Sequence, residues 1–368
     1  MALQLHWFLP SHGDGRDLAE RRDRGKTAEP VTRVTRRRPD LAYLAQVAGA
    51  ADRLGFAGML TPIGLFCEDP WVVASALAAR TERLKFMIAL RPGLISPLLA
   101  AQMAATFQRI SGDRLLLNVV TGGDPDEQRR YGDRLDHDGR YARTAEFLRV
   151  LSGVWAGRPY DFDGEHYRVE AALLTRPPGT PPTVFLGGSS ESAQRVACDL
   201  ADVYLAWGEP PGAMEELFKR VRGRAEEQGR TVRLGTRFNV IARDTAREAW
   251  AEADRLVSGL DPRTIEAAQR RFRRTESEGQ RRMAALHGGS ADRLVVHPNI
   301  WMGIGLVRPG AGATLVGSYE EVAERIAEYH AIGVDHLILS GQPHLEEAYS
   351  FGEGVMPLLR REGLLEEA

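Results

Sequence analysis

Arginines occur beside short apolar runs of the chain, at positions where a fold would bring them into a pocket. Arg237 lies in the run Thr236-Arg237-Phe238-Asn239-Val240, and Arg308 lies in the glycine-rich segment Gly305-Leu306-Val307-Arg308-Pro309-Gly310. An arginine inside a barrel requires a partner of opposite charge, and an acidic neighbour or an anionic substrate satisfies Arg237 equally well. A mobile Arg308 suits a clamp that closes over an anion, whereas a solvated surface arginine is the plainer alternative.

A second chemical signature is the run Gly187-Gly188-Ser189-Ser190, which follows an apolar stretch and precedes a helix-forming one. Glycines let backbone N–H groups approach an anion, serine hydroxyls add donors, and a helix N-terminus adds its dipole. The run predicts either a phosphate cradle or an ordinary helix N-cap, and these residues alone do not separate the two.

Cys67 precedes Glu68-Asp69-Pro70, which indicates a helix start with the thiol directed toward the site. A nucleophilic thiol needs a cationic or histidine neighbour, and none is adjacent in sequence. The sequence has no GxSxG elbow, no HExxH and no clustered Cys/His spacing, so we expect no metal and no serine hydrolase site.

Short apolar runs alternate with amphipathic stretches along the whole chain, which is typical of βα units around a parallel sheet. Helices are predicted between most of these runs, and a small hairpin is predicted around Asp163-Gly164. The eight predicted strands are Leu5–Leu9, Gly58–Thr61, Lys85–Leu90, Leu115–Val120, Thr183–Leu186, Val203–Trp207, Leu234–Ala242 and His336–Leu339. Eight such units predict an α/β (β/α)₈ TIM barrel; an open doubly wound sheet is the alternative, disfavoured by the absence of GxGxxG after the first strand.

The 368 residues are 43 % hydrophobic and 27 % charged, with a formal net charge of −2. This composition predicts one globular TIM-barrel domain over residues 1–368 and excludes a basic nucleic-acid-binding protein. No apolar run is long enough to cross a membrane and the N-terminus does not resemble a signal peptide, so we expect a cytoplasmic protein. Residues 16–38 are predicted to form a mobile arginine-rich loop. Residues 260–317 are predicted to form an insertion with a helical pair and an active-site lid; the alternative is a helical insertion packed on the barrel wall.

In a barrel of this kind the active site lies at the carboxyl ends of the strands. That rule selects a set of candidate side chains from the predicted elements alone. They are His12, Thr61, Cys67, Arg91, Asn118, Thr121, Ser189, Ser190, Trp207, Arg237, Asn239, Gln342 and His344.

Several longer segments together carry a family resemblance that covers nearly the whole chain. They are residues 7–15 (WFLPSHGDG), 67–69 (CED), 89–92 (ALRP), 118–122 (NVVTG), 185–190 (FLGGSS), 207–211 (WGEPP), 281–287 (RRMAALH) and 343–349 (PHLEEAY). With these segments the chain resembles the FMNH₂-dependent alkanesulfonate monooxygenases of the bacterial luciferase-like flavin group.

The resemblance implies a two-component system, in which a separate NAD(P)H-dependent flavin reductase supplies FMNH₂. With O₂ as co-substrate, the enzyme would cleave the C–S bond of an organosulfonate to sulfite and an aldehyde, and it would be a homodimer or homotetramer. The implied catalytic positions are Arg237, Arg308, Cys67, Trp207, His344, Asn239 and Gln342. The implied flavin-binding positions are Thr61, Asn118, Thr121, His137, Tyr141, Gly188, Ser189 and Ser190.

Two positions depart from the family pattern. Asn239 stands where the family usually has a histidine, and Gln342 stands where it usually has a tyrosine. Both side chains are neutral and are not acid–base groups near pH 7. Either proton transfer uses another residue or the substrate differs, for example a sugar sulfonate or a sulfone. A deazaflavin-dependent hydride transferase on the same barrel and a non-catalytic flavin-binding relative are the alternatives.

Overall fold

The computed structural model describes residues 2–18 and 37–366, so the predicted arginine-rich loop at 16–38 lies mostly outside the described residues. Thirteen β-strands are present in these ranges. In chain order they are β1 (Gln4–Phe8), β2 (Gly58–Thr61), β3 (Lys85–Leu90), β4 (Leu115–Val119), β5 (Tyr160–Asp163), β6 (Arg168–Ala172), β7 (Thr183–Gly187), β8 (Val203–Trp207), β9 (Arg233–Arg243), β10 (Val295–His297), β11 (Ile300–Trp301), β12 (Thr314–Ser318) and β13 (His336–Ser340).

Thirteen α-helices accompany them in the same ranges. They are α1 (Leu41–Leu54), α2 (Pro70–Ala78), α3 (Pro97–Ser111), α4 (Pro125–Arg130), α5 (His137–Trp155), α6 (Glu191–Leu200), α7 (Pro211–Glu227), α8 (Ala246–Ser258), α9 (Pro262–Phe272), α10 (Glu278–His287), α11 (Tyr319–Ala331), α12 (His344–Ser350) and α13 (Met356–Arg361). A 3-10 helix spans Gly303–Leu306, and a π-helical turn at Phe351–Val355 joins α12 to α13.

Eight parallel strands form a closed ring in the order β1-β2-β3-β4-β7-β8-β9-β13, and β13 pairs with β1 to complete it. The fold predicted from the sequence, a (β/α)₈ barrel, is therefore confirmed. All eight predicted strands are barrel strands. Each apolar run is buried, because one face of the strand packs inside the barrel and the other packs against the surrounding helices. The predicted hairpin is β5-β6, which lies outside the barrel as a separate two-stranded sheet.

The helix starts follow local capping chemistry. Ser96 caps α3 by accepting a hydrogen bond from the Leu99 N–H, with Pro97 in the first turn. Asp69 caps α2 in the same way through the Trp71 N–H, again followed by a proline. Such caps are readable from the sequence because they depend on residues within one helical turn.

Three strands were not predicted, and all lie in the segment 260–317. β9 has 11 residues, and its second half pairs in parallel with β12, with Asn239 opposite Thr314. β11 and β10 add to β12 in antiparallel fashion. The barrel sheet thus continues past the ring at its carboxyl end, beside the place where the site was predicted.

The helical part of this segment is bonded to the barrel at several points. Arg282 on α10 makes two hydrogen bonds of 2.6 Å to the Glu209 carboxylate, which follows β8. Glu276, between α9 and α10, pairs with Arg140 on α5 at 2.6 Å. Within the segment itself, the Gln269 amide on α9 donates to the Leu306 carbonyl at 2.8 Å. Within the described residues, no helix is both long and apolar enough to span a membrane.

Candidate functional site

The carboxyl ends of the barrel strands form a mouth, which we define by Phe8, Arg237, His344 and His12. Phe8 ends β1, and its ring is the hub of this group. The Arg237 guanidinium carbon lies 4.3 Å from the centroid of that ring. The centroids of the His344 and His12 rings lie 5.7 and 6.1 Å from it. Residues separated by more than 300 positions are thus gathered around one aromatic side chain.

Arg237 is placed in the mouth by the alternation of β9, which turns its side chain to the barrel interior while Phe238 faces the helices. No acidic side chain of the described residues pairs with it, and its buried Nε has no hydrogen-bond partner there. Burial lowers the pKa of Arg237 to about 10, so the group is still a cation near neutral pH. The cation–π contact with the Phe8 ring compensates only part of the hydration free energy that the Arg237 guanidinium loses in the barrel. The sequence left an acidic neighbour and an anionic ligand open for Arg237, and no acidic neighbour pairs with it among the described residues.

Asn239 lies two residues further along β9 and is fully engaged by the protein. Its Nδ2 donates to the carbonyl of Ala311 at 2.8 Å, and its Oδ1 accepts from the Ser340 hydroxyl at 2.8 Å. These bonds hold the strand β9 to the segment that leads into β12. Asn239 therefore organises the wall of the mouth.

Gln342 and Arg308 contact each other directly. The Arg308 Nη1 donates to the Gln342 Oε1 at 2.5 Å, and its Nη2 donates to the Asp17 carbonyl at 3.3 Å. The Gln342 amide nitrogen donates in turn to the Gly15 carbonyl. Gln342 thus joins the segment 260–317 to the loop after β1, and Arg308 lies beside that loop.

His344 begins α12 and is bonded to a residue that the sequence reasoning did not select. Its backbone N–H and its Nδ1 lie 2.8 and 3.1 Å from the two carboxylate oxygens of Asp14. Asp14 lies five residues after the predicted strand end at Leu9, within the His12-Gly13-Asp14-Gly15 run, and that position was the available signal.

Two other predicted residues lie at the rim. The Cys67 thiol, in the loop between β2 and α2, lies 3.4 Å from the carbonyls of both Pro62 and Gly64, so it contributes to the shape of its own loop. Trp207 ends β8 and packs against α10, where a Cβ added at Gly279 would lie 3.1 Å from the indole. The indole thus touches the segment predicted to act as a lid.

The residues of the predicted phosphate cradle lie next to one another. Gly188 has φ +144°, and a Cβ there would lie 2.5 Å from the Tyr141 hydroxyl and 2.6 Å from the Ala193 Cβ. Burial raises the pKa of Tyr141, and hydrogen bonding to Thr121 and Ser190 opposes that rise. Ser190 also caps α6 through the Ala193 N–H. The two interpretations of this run are compatible, because the cap turns the helix N-terminus toward Tyr141.

His137 and Ser189 extend this group. The His137 ring lies 5.0 Å from the Tyr141 ring, and its Nδ1 lies 2.8 Å from the Asp138 carboxylate. That carboxylate also accepts from the Ser192 hydroxyl at the start of α6. Ser189 precedes the cap, and its carbonyl accepts from the Gln194 amide.

Thr61, Asn118 and Arg91 lie deeper, at the ends of β2, β4 and β3. The Thr61 hydroxyl is fully buried and lies 3.4 Å from the Met87 carbonyl. The Asn118 Oδ1 is buried without a partner among the described residues. Arg91 is buried and paired with Glu127 at 3.1 Å, but its Nε and Nη1 also lack partners in that part of the chain. Buried donors and acceptors of this kind are normally satisfied by a ligand or by water.

These residues fit a flavin phosphate and ring system. The cradle has a glycine where a Cβ would collide, hydroxyl donors and a helix N-terminus, as a phosphate requires. The orphaned oxygen of Asn118 and nitrogens of Arg91 are of the types that pair with the polar edge of a flavin. Among the described residues, no group of three or more His, Cys, Asp or Glu is arranged to hold a metal ion.

Comparison with known proteins agrees with this geometry. Residues 3–336 match the family model described as luciferase-like monooxygenase. A riboflavin lyase structure with modified FMN and riboflavin is similar with a TM-score of 0.82 and 20 % identity, covering 100 % of this chain and 93 % of that one. EDTA monooxygenase from Chelativorans sp. BNC1 gives a TM-score of 0.79 and 21 % identity, covering 100 % and 95 %.

An F420-dependent secondary alcohol dehydrogenase in complex with an F420–acetone adduct is also similar. Its TM-score is 0.68 at 16 % identity, and the match covers 98 % of this chain and 100 % of that one. At such identities the structural likeness establishes the shared fold. The family match extends over most of the sequence, and the chain belongs to the luciferase-like monooxygenase family.

Proposed function

We propose that this enzyme is a two-component monooxygenase that uses FMNH₂ and O₂ to cleave the C–S bond of an organosulfonate, releasing sulfite and an aldehyde. The observation that carries the proposal is Arg237, a half-buried cation at the mouth whose Nε is buried without a hydrogen-bond partner and which has no acidic partner in the described residues. A buried unpaired charge is costly unless a ligand neutralises it. A sulfonate supplies one negative charge and three acceptor oxygens.

Each group of the site has a role in this proposal. The phosphate of FMN would be held by Gly188, Ser189 and Ser190 at the start of α6, beside Tyr141 and Thr121. His137 borders this cradle, and Thr61 and Asn118 at the strand ends would bind the flavin ring. Bound FMNH₂ supplies the electrons that activate O₂ for transfer of one oxygen atom to the substrate.

The remaining residues bind the anion and exclude water. Arg237 orients the sulfonate by charge, and Phe8 beneath it presents an apolar wall for the carbon chain. Trp207 and the segment 260–317 cover the mouth, with Arg308 held at its edge by Gln342. Cys67 lies in the loop that borders the flavin end. A site shielded from water in this way protects reactive oxygen chemistry from unproductive hydrolysis.

The test is a sulfite-release assay with a flavin reductase, NADH, FMN and O₂. The substrates are linear C1 to C10 sulfonates, a sugar sulfonate and a sulfone, each with a control that lacks the reductase. We expect sulfite and an equal amount of aldehyde from at least one sulfonate. Absence of sulfite from the whole panel would overturn the proposal, and product from the sulfone alone would reassign the substrate class.

A deazaflavin-dependent hydride transferase is the second candidate, because the fold is shared with an F420-dependent dehydrogenase. Titration of the protein with FMN and with the deazaflavin F420 separates the two. The proposal requires tighter binding of FMN, and tighter binding of F420 would favour the hydride transferase. A separate reductase is required only in the first case.

We further propose that the enzyme is a homo-oligomer. An apolar groove between α2 and α3 exposes Val72, Leu99 and Ile110, which are 70 %, 48 % and 67 % exposed. An exposed patch of this kind is typical of an association surface, and a second copy offers a matching apolar face. Light scattering should show a dimer or tetramer that a Val72→Glu, Ile110→Glu double variant dissociates; an unchanged mass would refute this surface.

A further inference from the structure

Asp14 is a buried carboxylate beside the mouth that the roles above leave unexplained. It is 2 % exposed and follows β1. Its Oδ1 accepts from the Gly15 N–H at 2.8 Å and faces the His344 Nδ1 at 3.1 Å. Its Oδ2 accepts from the His344 N–H at 2.8 Å and from the Tyr43 hydroxyl. Each carboxylate oxygen therefore has two partners.

These contacts keep the carboxyl group ionised in spite of its environment. Burial by itself would raise the pKa of Asp14, but the interactions with His344 and Tyr43 lower it to about 2. An ionised carboxylate accepts hydrogen bonds and donates none. The imidazole atom that faces it at 3.1 Å must therefore carry a proton, so Nδ1 of His344 is an N–H donor.

The other ring nitrogen of His344 is consequently left for a ligand. Nε2 makes no hydrogen bond to any residue in the described ranges, although the side chain is only 4 % exposed. The ring stands 5.7 Å from Phe8, the same ring that Arg237 covers at 4.3 Å. In the neutral Nδ1–H form, Nε2 is a lone-pair acceptor at the edge of the anion site.

We propose that Asp14 is a positioning residue that fixes His344 as the Nδ1–H tautomer and thereby makes His344 Nε2 the proton-transfer atom of the mouth. During turnover Nε2 accepts the proton released from the carbon bound to sulfur as that carbon becomes the aldehyde, the imidazolium stays bonded to the ionised Asp14, and Nε2 returns the proton to the oxygen atom that leaves as water. Asp14 itself is never protonated. This assignment rests on the proposed function for the identity of the substrate.

The assignment also accounts for the two departures from the family pattern. Asn239 and Gln342 are neutral, and both are bonded to backbone carbonyls and neighbouring side chains. Neither is available for acid–base chemistry. A histidine oriented by a carboxylate can provide the proton transfer that Asn239 and Gln342 cannot, because the carboxylate sets the tautomer of the ring and stabilises its protonated form.

The decisive measurement is the protonation state of each His344 nitrogen by NMR on protein labelled with ¹⁵N-histidine, with His344→Gln assigning its signals among the nine histidines. Recorded at a pH high enough for the ring to carry a single proton, the spectrum should show that proton on Nδ1 and none on Nε2. A wild-type His344 protonated at Nε2 alone would overturn the proposal. This readout needs neither flavin nor substrate, so it stands even if no sulfonate yields sulfite.

The matching variant is Asp14→Asn, which keeps the shape and removes the charge. We expect the tautomer to change, because the amide can donate to Nδ1, and kcat to fall about 10²-fold or more with KM little altered. An unchanged tautomer together with unchanged kcat would overturn the role of Asp14. If Asp14→Asn does not fold, the wild-type spectrum alone still decides.

Asp52→Asn is the control for loss of a bonded carboxylate elsewhere. Asp52 accepts from the backbone N–H groups of Glu82, Arg83 and Leu84, away from the mouth. We expect Asp52→Asn to lower the melting temperature while the His344 tautomer stays the same and kcat changes by less than about twofold. An equal loss of kcat in both variants would show that Asp14 acts only through stability.

Discussion

At the amino-terminal end of the barrel interior, His6 and His336 lie side by side, whereas the carboxyl end holds Arg237 and Asp14. The His6 Nε2 and the His336 Nδ1 are 3.0 Å apart, and the rings stack at 5.3 Å. Burial, followed by nearby positive charge, lowers the pKa of His6 to about 3 and of His336 to about 2. Burial therefore keeps this lower pair neutral, while Arg237 and Asp14 stay charged in the same barrel.

The reason for the difference lies in the partners available at each end. Phe185 packs edge-on against both histidines, and an apolar layer that includes Leu60, Met87 and Ile338 separates them from the mouth. A histidine in that setting stays neutral, because no interaction compensates the free energy that its charged form loses on removal from water. At the mouth, four donors surround Asp14, and the proposed anion site lies beside Arg237. Charge survives inside this barrel only where hydrogen bonds or a ligand compensate it.

The largest effect on this contrast between the two ends of the barrel is expected from replacing Arg237, which has no acidic partner among the described residues. We expect Arg237→Met to lower kcat/KM for sulfite release by about 10²- to 10³-fold, because the variant loses its charge contact with a buried anion. The same change should raise the free energy of unfolding by about 1 kcal/mol, since an unpaired buried charge is removed. Sulfite assays and chemical denaturation measure the two effects.

Arg220→Met serves as the control, because Arg220 is exposed on α7. Neither activity nor stability should change with it. A loss of stability in Arg237→Met would instead mean that the guanidinium has a stabilising partner in the protein, and the contrast between the two ends of the barrel would fail.

The second prediction concerns the lower pair and pH. Unfolded histidines bind protons below about pH 6.5, whereas His6 and His336 do not do so until about pH 3 and 2. The unfolded state thus binds more protons between these values, and stability must fall as pH falls from about 6.5. Two such groups give a slope of at most about 2.7 kcal/mol per pH unit.

Urea denaturation from pH 7 to pH 4.5 measures that slope. In a His6→Leu, His336→Leu variant, the free energy of unfolding should fall clearly less steeply as the pH is lowered. His297→Gln on β10 is the control and should give the wild-type slope. Equal slopes in the wild type and the double variant would show that the buried pair is not kept neutral.

The third prediction tests the phosphate cradle at the mouth. Gly188→Ala places a methyl group 2.5 Å from the Tyr141 hydroxyl and 2.6 Å from the Ala193 Cβ. We expect the Kd for FMN to rise about tenfold, which corresponds to about 1.4 kcal/mol. Fluorescence titration measures the Kd. Gly212→Ala, where an added Cβ meets nothing within 4 Å, is the matched control, and equal Kd values for the two variants would contradict the cradle.

The smallest effect is expected from restoring the family residues at the mouth. An Asn239→His, Gln342→Tyr variant should change kcat on linear sulfonates by less than about threefold, because His344 already provides acid–base chemistry. A large gain in turnover would show that these two positions limit the reaction, and it would argue against His344 as the proton-transfer residue.

Local chemistry explains how much of the fold was predictable. The eight barrel strands follow from apolar runs, and α2 and α3 begin at the expected Asp69-Pro70 and Ser96-Pro97 pairs. The strands β10, β11 and β12 were missed. β12 is recruited by the second half of β9, and its strand-favouring run is only three residues long, Thr314 to Val316, before Gly317. Pairing with an already formed edge compensates for weak local preference.

The site shows the same division. The sequence alone determined that a cation, a glycine-serine turn and several polar side chains stand at strand ends, because strand alternation and turn chemistry are local. The tertiary structure decided their partners: no acidic group for Arg237 among the described residues, backbone carbonyls for Asn239, and Asp14 for a histidine 330 positions away. Such pairings arise only when β13 closes on β1, since barrel closure brings distant strand ends within hydrogen-bonding distance.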